Sequence, residues 1–438
     1  MAVLFIVGKS VRLANILATD TKKGARLAEI AFEALTMEKK IDEPILKDKI
    51  CGVVGDGAFM RKNKPFKKRL QELLDKYNLT FRWDLLHLGN RAHIAARGPT
   101  KYETKKKLKK LTDDGEDDSS EDGTQVTELG ELINYIQGHS KTFRSGIKFT
   151  GMQMSLDFKF LRPKVWSSTR MCLFEWDMTM RFLQNKLYFE IPRDKVILCQ
   201  MYCVVMYGLK IILKVCQKTD VTSEWVQSVM VGDMGEKAMQ YCLKVSHSLL
   251  LDNELPFEDD QPDILNLNKP EPVDFSNNIF MKDLHKYVKG NKELFSLEED
   301  PSVRTTRGTA GVPVEDTITK MHDIVEDYIT SFWLEMRARY DLTDLGAGPT
   351  SFSEAPAESV FSVWERVSTG RPSLKLENVV ALVRVGMEGP PASSKGSLHL
   401  STKALNRWPG KHGERFTTRN WRPGVVSKTI SKIQGQSS

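Results

Sequence analysis

The spacing of apolar positions changes several times along this chain. Ala2–Val7 and Val11–Ala18 are short apolar runs joined by Gly8-Lys9-Ser10, and both predict strands. From Thr21 the spacing lengthens: Leu27, Ile30, Ala31, Ala34 and Leu35 recur as on one face of an amphipathic helix. Lys47–Val54 predicts the next strand. Its apolar core, Ile50–Val54, is too short for a helix and reads as buried. Phe66–Tyr77 sets Leu70, Leu73 and Leu74 on one face and Lys and Arg on the other, predicting a second helix. Thr80–Leu86 predicts a further short strand and His87–Arg97 the start of a helix. Strands and helices alternating in this order predict an α/β layered domain.

From Val126 the pattern is helical for most of the remaining chain. Val196–Cys216 is the most apolar segment, and Lys210 and Lys214 interrupt it after about fourteen residues, which predicts a buried core helix and no membrane span. Leu255–Pro272, acidic and Pro-bearing, predicts a loop. Val314–Tyr340 predicts a long helix with Ile318, Met321, Ile324, Val325, Tyr328, Ile329 and Phe332 on its apolar face. Gly346–Pro356 breaks the pattern. Ala357–Val367 and Lys375–Met387 predict a closing helix pair around Thr369-Gly370-Arg371-Pro372, and a basic, poorly ordered tail follows Gly389.

Charge adds one feature to this pattern. Lys101–Lys110 carries six lysines and Asp113–Asp122 seven acids, which predicts a solvated helix end and a disordered linker. Its functional alternative is a nuclear-import signal in KKKLKK. The chain as a whole has 438 residues, 40% hydrophobic and 28% charged, the balance of a soluble globular protein. Its net charge of +7, from 64 basic and 57 acidic residues, permits a polyanionic partner. MAVLFIVG lacks the basic n-region of a signal peptide. The six cysteines lie mostly in apolar runs without zinc-finger spacing, which predicts buried reduced thiols, an intracellular setting and no zinc. No P-loop, no Gly-x-Ser-x-Gly elbow and no His–Cys pairing of a thiol hydrolase is present.

One stretch suggests chemistry. The run Ile50–Val54 ends on Gly55-Asp56-Gly57, so Asp56 is a carboxylate at the carboxyl end of a strand, where ligand and metal chemistry gathers in α/β sheets. Asp-Gly equally reads as a turn or cap.

Three separated blocks resemble the hAT superfamily of DNA transposases and its domesticated, transposase-derived descendants. Val53-Val54-Gly55-Asp56-Gly57-Ala58 resembles the strand that carries the family's second catalytic acid. Trp83-Asp84-Leu85-Leu86-His87, followed by Asn90 and Ala95, resembles its C/D-x-x-H block. Ala357-Glu358-Ser359-Val360-Phe361-Ser362, with Gly370-Arg371, Ser373-Leu374 and Val379-Val380-Ala381-Leu382, resembles its C-terminal dimerisation region, in which Glu358 matches the third acid. The departures are specific. The family's first acid lies on a strand preceding the one at Ala2–Val7, the N-terminal zinc-binding DNA module has no counterpart, and Thr169-Arg170-Met171 matches an Arg-Trp motif loosely, with Trp166 displaced.

The resemblance implies an RNase H-like α/β domain interrupted by a large helical insertion, with a C-terminal helical dimerisation region. Its parts would be residues 1–98 as the N-terminal part of the domain, 99–125 as the charged linker and 126–312 as the insertion. Residues 313–388 would form the C-terminal part with the dimerisation region, and 389–438 the tail. Asp56 and Glu358 would be the catalytic and metal-binding acids, taking Mg²⁺ or Mn²⁺ as hard carboxylate ligands do and clamping a phosphodiester between paired ions. Asp84, His87 and Arg170 would contact nucleic acid or shape the site. Phe361, Trp364, Leu374, Val379 and Leu382 would be dimer-seam residues, a role the sequence does not separate from core packing. Read without the resemblance, His87 is a residue at a helix N-terminus, Arg170 a surface arginine, and Glu358 a complement to a helix dipole.

The implied function is a nuclear, DNA-binding and self-associating transposase-derived protein, with no strand transfer because the first acid is absent. Two alternatives remain: an active transposase whose reading frame begins upstream, and a protein-interaction scaffold or SUMO-pathway factor without a nucleic-acid role.

Overall fold

The computed structural model describes residues 2–7, 10–16, 23–38, 41–55, 65–100, 126–149, 171–184, 191–216, 221, 223–251, 277–295, 297, 303–304, 311–340, 353, 355–368, 378–380 and 382–383. The lysine-rich and acidic runs, Leu255–Pro272 and the tail lie outside these residues.

Strands β1 (Ala2–Val7) and β2 (Ser10–Ile16) form a two-stranded sheet. Helix α1 (Gly24–Glu33) runs into a π-helical turn, Ala34–Glu38. A short helix follows where a strand was expected: α2 (Glu43–Lys49) occupies the start of the Lys47–Val54 run, and β3 (Gly52–Gly55) keeps only its end. Pro44 in the first turn presets helical φ, and Glu43 and Lys47 pair at 2.8 Å one turn apart. Lys76 then gathers the carbonyls that end this helix, its Nζ lying 2.7 Å from Ile50 O and 3.2 Å from Asp48 O. The strand is also less buried than its apolarity suggested, with only Gly55 fully enclosed.

Helix α3 (Pro65–Leu74) buries Phe66, Leu70 and Leu74 and packs on α1. Strand β4 (Thr80–Trp83) lies parallel to β3, with Gly52 opposite Thr80 and Gly55 opposite Trp83. It is shorter than the predicted Thr80–Leu86 because Asp84 caps a helix that takes up Leu85 and Leu86: α4 (Leu85–Arg97). That helix ends at Gly98, whose φ of +79° is left-handed, and any Cβ there would meet Thr127 Oγ1 at 2.7 Å.

Among the described residues, the remainder is helical apart from a minimal parallel pair. Helices α5 (Glu128–Phe149) and α6 (Met171–Gln184) come first, then β5 (Ile191–Pro192) and α7 (Arg193–Cys216). The short α8 (Ser223–Val226) continues as a π-helical turn, Gln227–Val231, into α9 (Met234–Leu250). Helices α10 (Asn277–Lys289) and α11 (Lys292–Phe295) precede β6 (Val303–Arg304), which pairs with β5. The long α12 (Val314–Arg339) follows, and α13 (Ala355–Ser368) starts two residues inside the predicted break.

Helix α7 is the centre of this bundle. It is long and apolar enough to cross a membrane, yet 89% of its most apolar window is buried against protein. Helices α4, α6, α9, α10 and α12 pack around it. Gly208 lets α7 pack against α9, since a Cβ there would stand 2.5 Å from Cys242 Sγ. Met321, Val325, Tyr328, Ile329 and Phe332 of α12 are buried here at the predicted spacing, joined by Trp333. Each such aliphatic or aromatic side chain contributes about 1.5–3 kcal/mol on burial.

Contacts divide the chain into two units. One holds residues 6–10 and 19–356 and therefore the bundle. The other holds residues 1–5, 11–18 and 357–438; its core is Leu13, Ile16, Val360, Val379 and Val383, with Leu4, Val363, Trp364 and Val380 partly buried against it. The described residues are thus mostly helical with small two-stranded sheets, an α/β composition weighted heavily toward helix.

Candidate functional site

The parallel pair β3–β4 brings two sequence blocks to one edge. Gly55 and Trp83 end their strands in register, and Asp84 N–H donates to Gly55 O at 2.9 Å. Asp56 follows Gly55 in the chain but lies outside the described residues. Asp84 is buried, and its carboxylate accepts from the Leu86 and His87 backbone N–H groups, both at 3.3 Å. It is the N-cap of α4, satisfying two of the amide groups that every helix start leaves open. His87 sits half-buried in the first turn of that helix. Arg170 is outside the described residues; Glu358 lies on α13, but its side chain does too.

Four helices instead converge on one carboxylate that sequence reasoning missed. Glu175 of α6 is fully buried. Its Oε1 lies 3.0 Å from Arg97 Nε, and its Oε2 lies 3.0 Å from His93 Nε2 and 2.8 Å from the hydroxyl that Tyr202 of α7 donates. His93 Nδ1 in turn meets the Tyr328 hydroxyl of α12 at 2.7 Å. With the ring proton on Nε2, His93 faces Glu175 with its N–H and receives Tyr328 O–H on Nδ1. Arg97 also donates from Nη1 to Gly98 O at 2.8 Å. Burial pushes the Glu175 carboxyl up, but the Arg97 charge, with His93 and the Tyr202 hydroxyl beside the carboxylate, outweighs it and leaves the group below its ordinary value. Burial, and then the Glu175 charge, hold the Tyr202 phenol far above its own. Arg97, His93 and Glu175 are all closed to solvent, so this network joins α4, α6, α7 and α12 and offers no surface to a substrate. The one available signal was the spacing of His93 and Arg97, one turn apart on α4.

A second cluster explains the lysine inside the most apolar segment. Lys210 Nζ stands 3.2 Å from the centre of the Trp176 ring, a cation–π contact that lets α7 carry a charge within the bundle. Tyr207 stacks on Tyr287 with centroids 3.7 Å apart, and the Tyr287 hydroxyl receives Trp176 Nε1–H at 3.1 Å and meets Cys203 Sγ at 3.2 Å. Burial pushes the Cys203 thiol up to about 11, so at neutral pH it is a packing residue and no nucleophile. Cys199, Cys216 and Cys242 are buried and free as well, whereas Cys51 is exposed.

The predicted dimerisation residues separate into two groups. Val379 is in the small unit's core and Trp364 packs partly against it. Phe361 and Leu382 are 49% and 40% exposed, while Val360, Val379 and Val383 in the same segments are buried. Leu374 lies outside the described residues.

No family model, curated protein or solved structure matches the chain.

Proposed function

We propose that this chain is a self-associating, nucleic-acid-binding nuclear protein of hAT-transposase descent, built on an RNase H-like domain with a helical insertion. The observation that carries the reading is the exposure of Phe361 and Leu382 beside the packed residues Val360, Val379 and Val383. These segments are the ones that resemble the family's dimerisation region, and two large apolar side chains turned to solvent there suit a self-complementary contact. The parallel β3–β4 pair, with an acid following each strand in sequence, supports the RNase H-like reading. The excess of seven basic charges supports a polyanionic partner. No strand-transfer step is assigned: Asp84 is committed to capping α4, and Asp56 and Glu358, which would take Mg²⁺ or Mn²⁺, carry no described geometry.

Sedimentation velocity on the full chain and on Phe361→Asp/Leu382→Asp tests self-association. The wild type is expected to sediment as a dimer or larger species and the double variant as a monomer. Duplex DNA binding is expected to weaken steeply with added salt, because phosphate contacts release counterions. A monomeric wild type together with no salt-sensitive DNA binding would sink the proposal. Partner binding that ignores salt would point to the protein-interaction scaffold.

A further inference from the structure

Helices α9 and α12 pack side by side, and near their contact they bring together a set of metal-ligating groups that the reading above does not use. His322, Asp323 and Glu326 lie on α12, and one ligand atom from each falls within 4.8 Å of the others. His322 Nδ1 is 3.8 Å from Asp323 Oδ1 and 4.0 Å from Glu326 Oε2, the latter one turn along the helix. From α9, His247 meets His322 edge to face with ring centroids 5.3 Å apart. His247 lies outside the three-residue cluster, and a rotation of its side chain would extend the set to two helices and two imidazoles.

The backbones beneath these groups are held in place. Met321 and Val325 flank His322 and Glu326 on α12 and are buried, as are Val245, Leu249 and Leu250 around His247 on α9. The side chains above are free to adjust: His322, Asp323 and Glu326 are 29%, 69% and 50% exposed. Zinc bound to nitrogen and oxygen at about 2.0–2.2 Å sets neighbouring tetrahedral ligands about 3.4 Å apart. The two distances from His322 Nδ1, 3.8 and 4.0 Å, need only a small closing rotation to reach that. A His and a Glu four residues apart on a helix present their donors to one point, as helix-borne metal chelates require. A mixed imidazole and carboxylate set favours borderline cations such as Zn²⁺, Co²⁺ and Ni²⁺ over Mg²⁺ or Ca²⁺, which prefer oxygen alone.

We propose that His247, His322 and Glu326, with Asp323 as a fourth ligand, form a surface site for a divalent transition cation of the Zn²⁺ class, joining α9 to α12. The cysteine spacing that argues against a zinc finger has no bearing on a site made of histidines and carboxylates. The site is independent of nucleic-acid binding and of self-association, and a bound ion would act as an external clip between two helices of the bundle.

The test uses the full chain, stripped with chelator and then titrated with Zn²⁺ by calorimetry and with Co²⁺ by visible ligand-field absorption. One equivalent of Zn²⁺ per chain is expected, with a Co²⁺ spectrum of low coordination number and a rise in the thermal midpoint on adding metal. His322→Ala and His247→Ala are each expected to lose at least about tenfold in affinity, since changes even in groups behind metal ligands cost that much. Glu326→Gln is expected to weaken binding with its far-UV circular dichroism unchanged, which separates loss of a ligand from loss of fold. Absence of stoichiometric Zn²⁺ binding would overturn the proposal. So would unchanged affinity in the His247→Ala/His322→Ala double variant, because the metal would then reside elsewhere.

Discussion

Replacing Glu175 by Gln is the most informative single change in the helical bundle. The substitution keeps the shape of the side chain and one carbonyl acceptor for Tyr202, but removes the charge 3.0 Å from Arg97 Nε. The Arg97 guanidinium would stay fully buried and lose this carboxylate. Breaking a buried ion pair by removing one partner costs about 3–5 kcal/mol, because the charge left behind is uncompensated. Against a typical domain stability of about 5–15 kcal/mol, that is a large fraction. Equilibrium urea unfolding, followed by far-UV circular dichroism, reads it directly. With a slope of about 3 kcal/mol per molar urea, the midpoint is expected to fall by about 1–1.7 M. Arg97→Met should cost a similar amount by stranding the carboxylate instead. The Glu175→Gln/Arg97→Met double variant should cost clearly less than the two single changes added, by about 1–3 kcal/mol of coupling. A midpoint shift below about 0.3 M for Glu175→Gln at unchanged slope, or strict additivity in the double variant, would refute the reasoning.

Two further outcomes follow from named contacts. Asp84→Ala removes the acceptor for Leu86 and His87 N–H and should cost about 0.5–2 kcal/mol in the same unfolding assay, whereas Asp84→Asn, which keeps a capping oxygen, should retain most of the stability. The Glu175 carboxyl sits below its ordinary value in the folded chain, so its contribution is fully present above the unfolded value near 4.5 and is lost as pH falls through the folded one. Stability measured from pH 6 downward should therefore drop below about pH 4.5, and the Glu175→Gln protein should show a flatter profile over that window.

The long elements were legible because a helix with one buried face repeats its apolar residues where the fold needs them. Ile318, Met321, Val325, Tyr328, Ile329 and Phe332 are buried at the spacing that predicted α12, with Ile324 half-buried beside them, and Val196–Cys216 is the central helix. The misread boundaries have local causes. Apolarity extended β4 through Leu85 and Leu86, although Asp84 ahead of them is a helix N-cap, and capping outweighs a two-residue apolar continuation. The strand predicted from Lys47 starts inside a helix because Glu43 and Pro44, ahead of the apolar run, set a first helical turn that carries on through Lys49. Glu175 was missed for a different reason. Nothing local distinguishes an acid that faces Arg97, some eighty residues earlier in the chain, from one that faces water. The exposure of Phe361 and Leu382 was illegible in the same sense, because they share their segments with Val360, Val379 and Val383, which are core.

The position of the Glu175 network suggests why a bundle this apolar would retain buried charge. Helix α7 is apolar around nearly its whole circumference, with eighteen of its residues buried, so hydrophobic burial alone gives its neighbours little preference for one axial register over another a turn away. The carboxylate of Glu175 answers that lack of preference. Its partners come from α4, α7 and, through His93, α12, and a slide of one turn, about 5.4 Å, would separate every one of them. We infer that the network's contribution is to uniqueness of packing more than to net stability, since replacing a buried ion pair by apolar residues of similar volume is often neutral or stabilising. The joint replacement Glu175→Leu/Arg97→Met/His93→Leu discriminates the two roles. It should unfold at a midpoint close to that of the wild type, while its α4, α6 and α12 amides exchange hydrogen faster in native buffer as alternative registers become accessible. A replacement that matches the wild type in both stability and protection would show that apolar complementarity already specifies the register, and that Glu175 is dispensable to the fold.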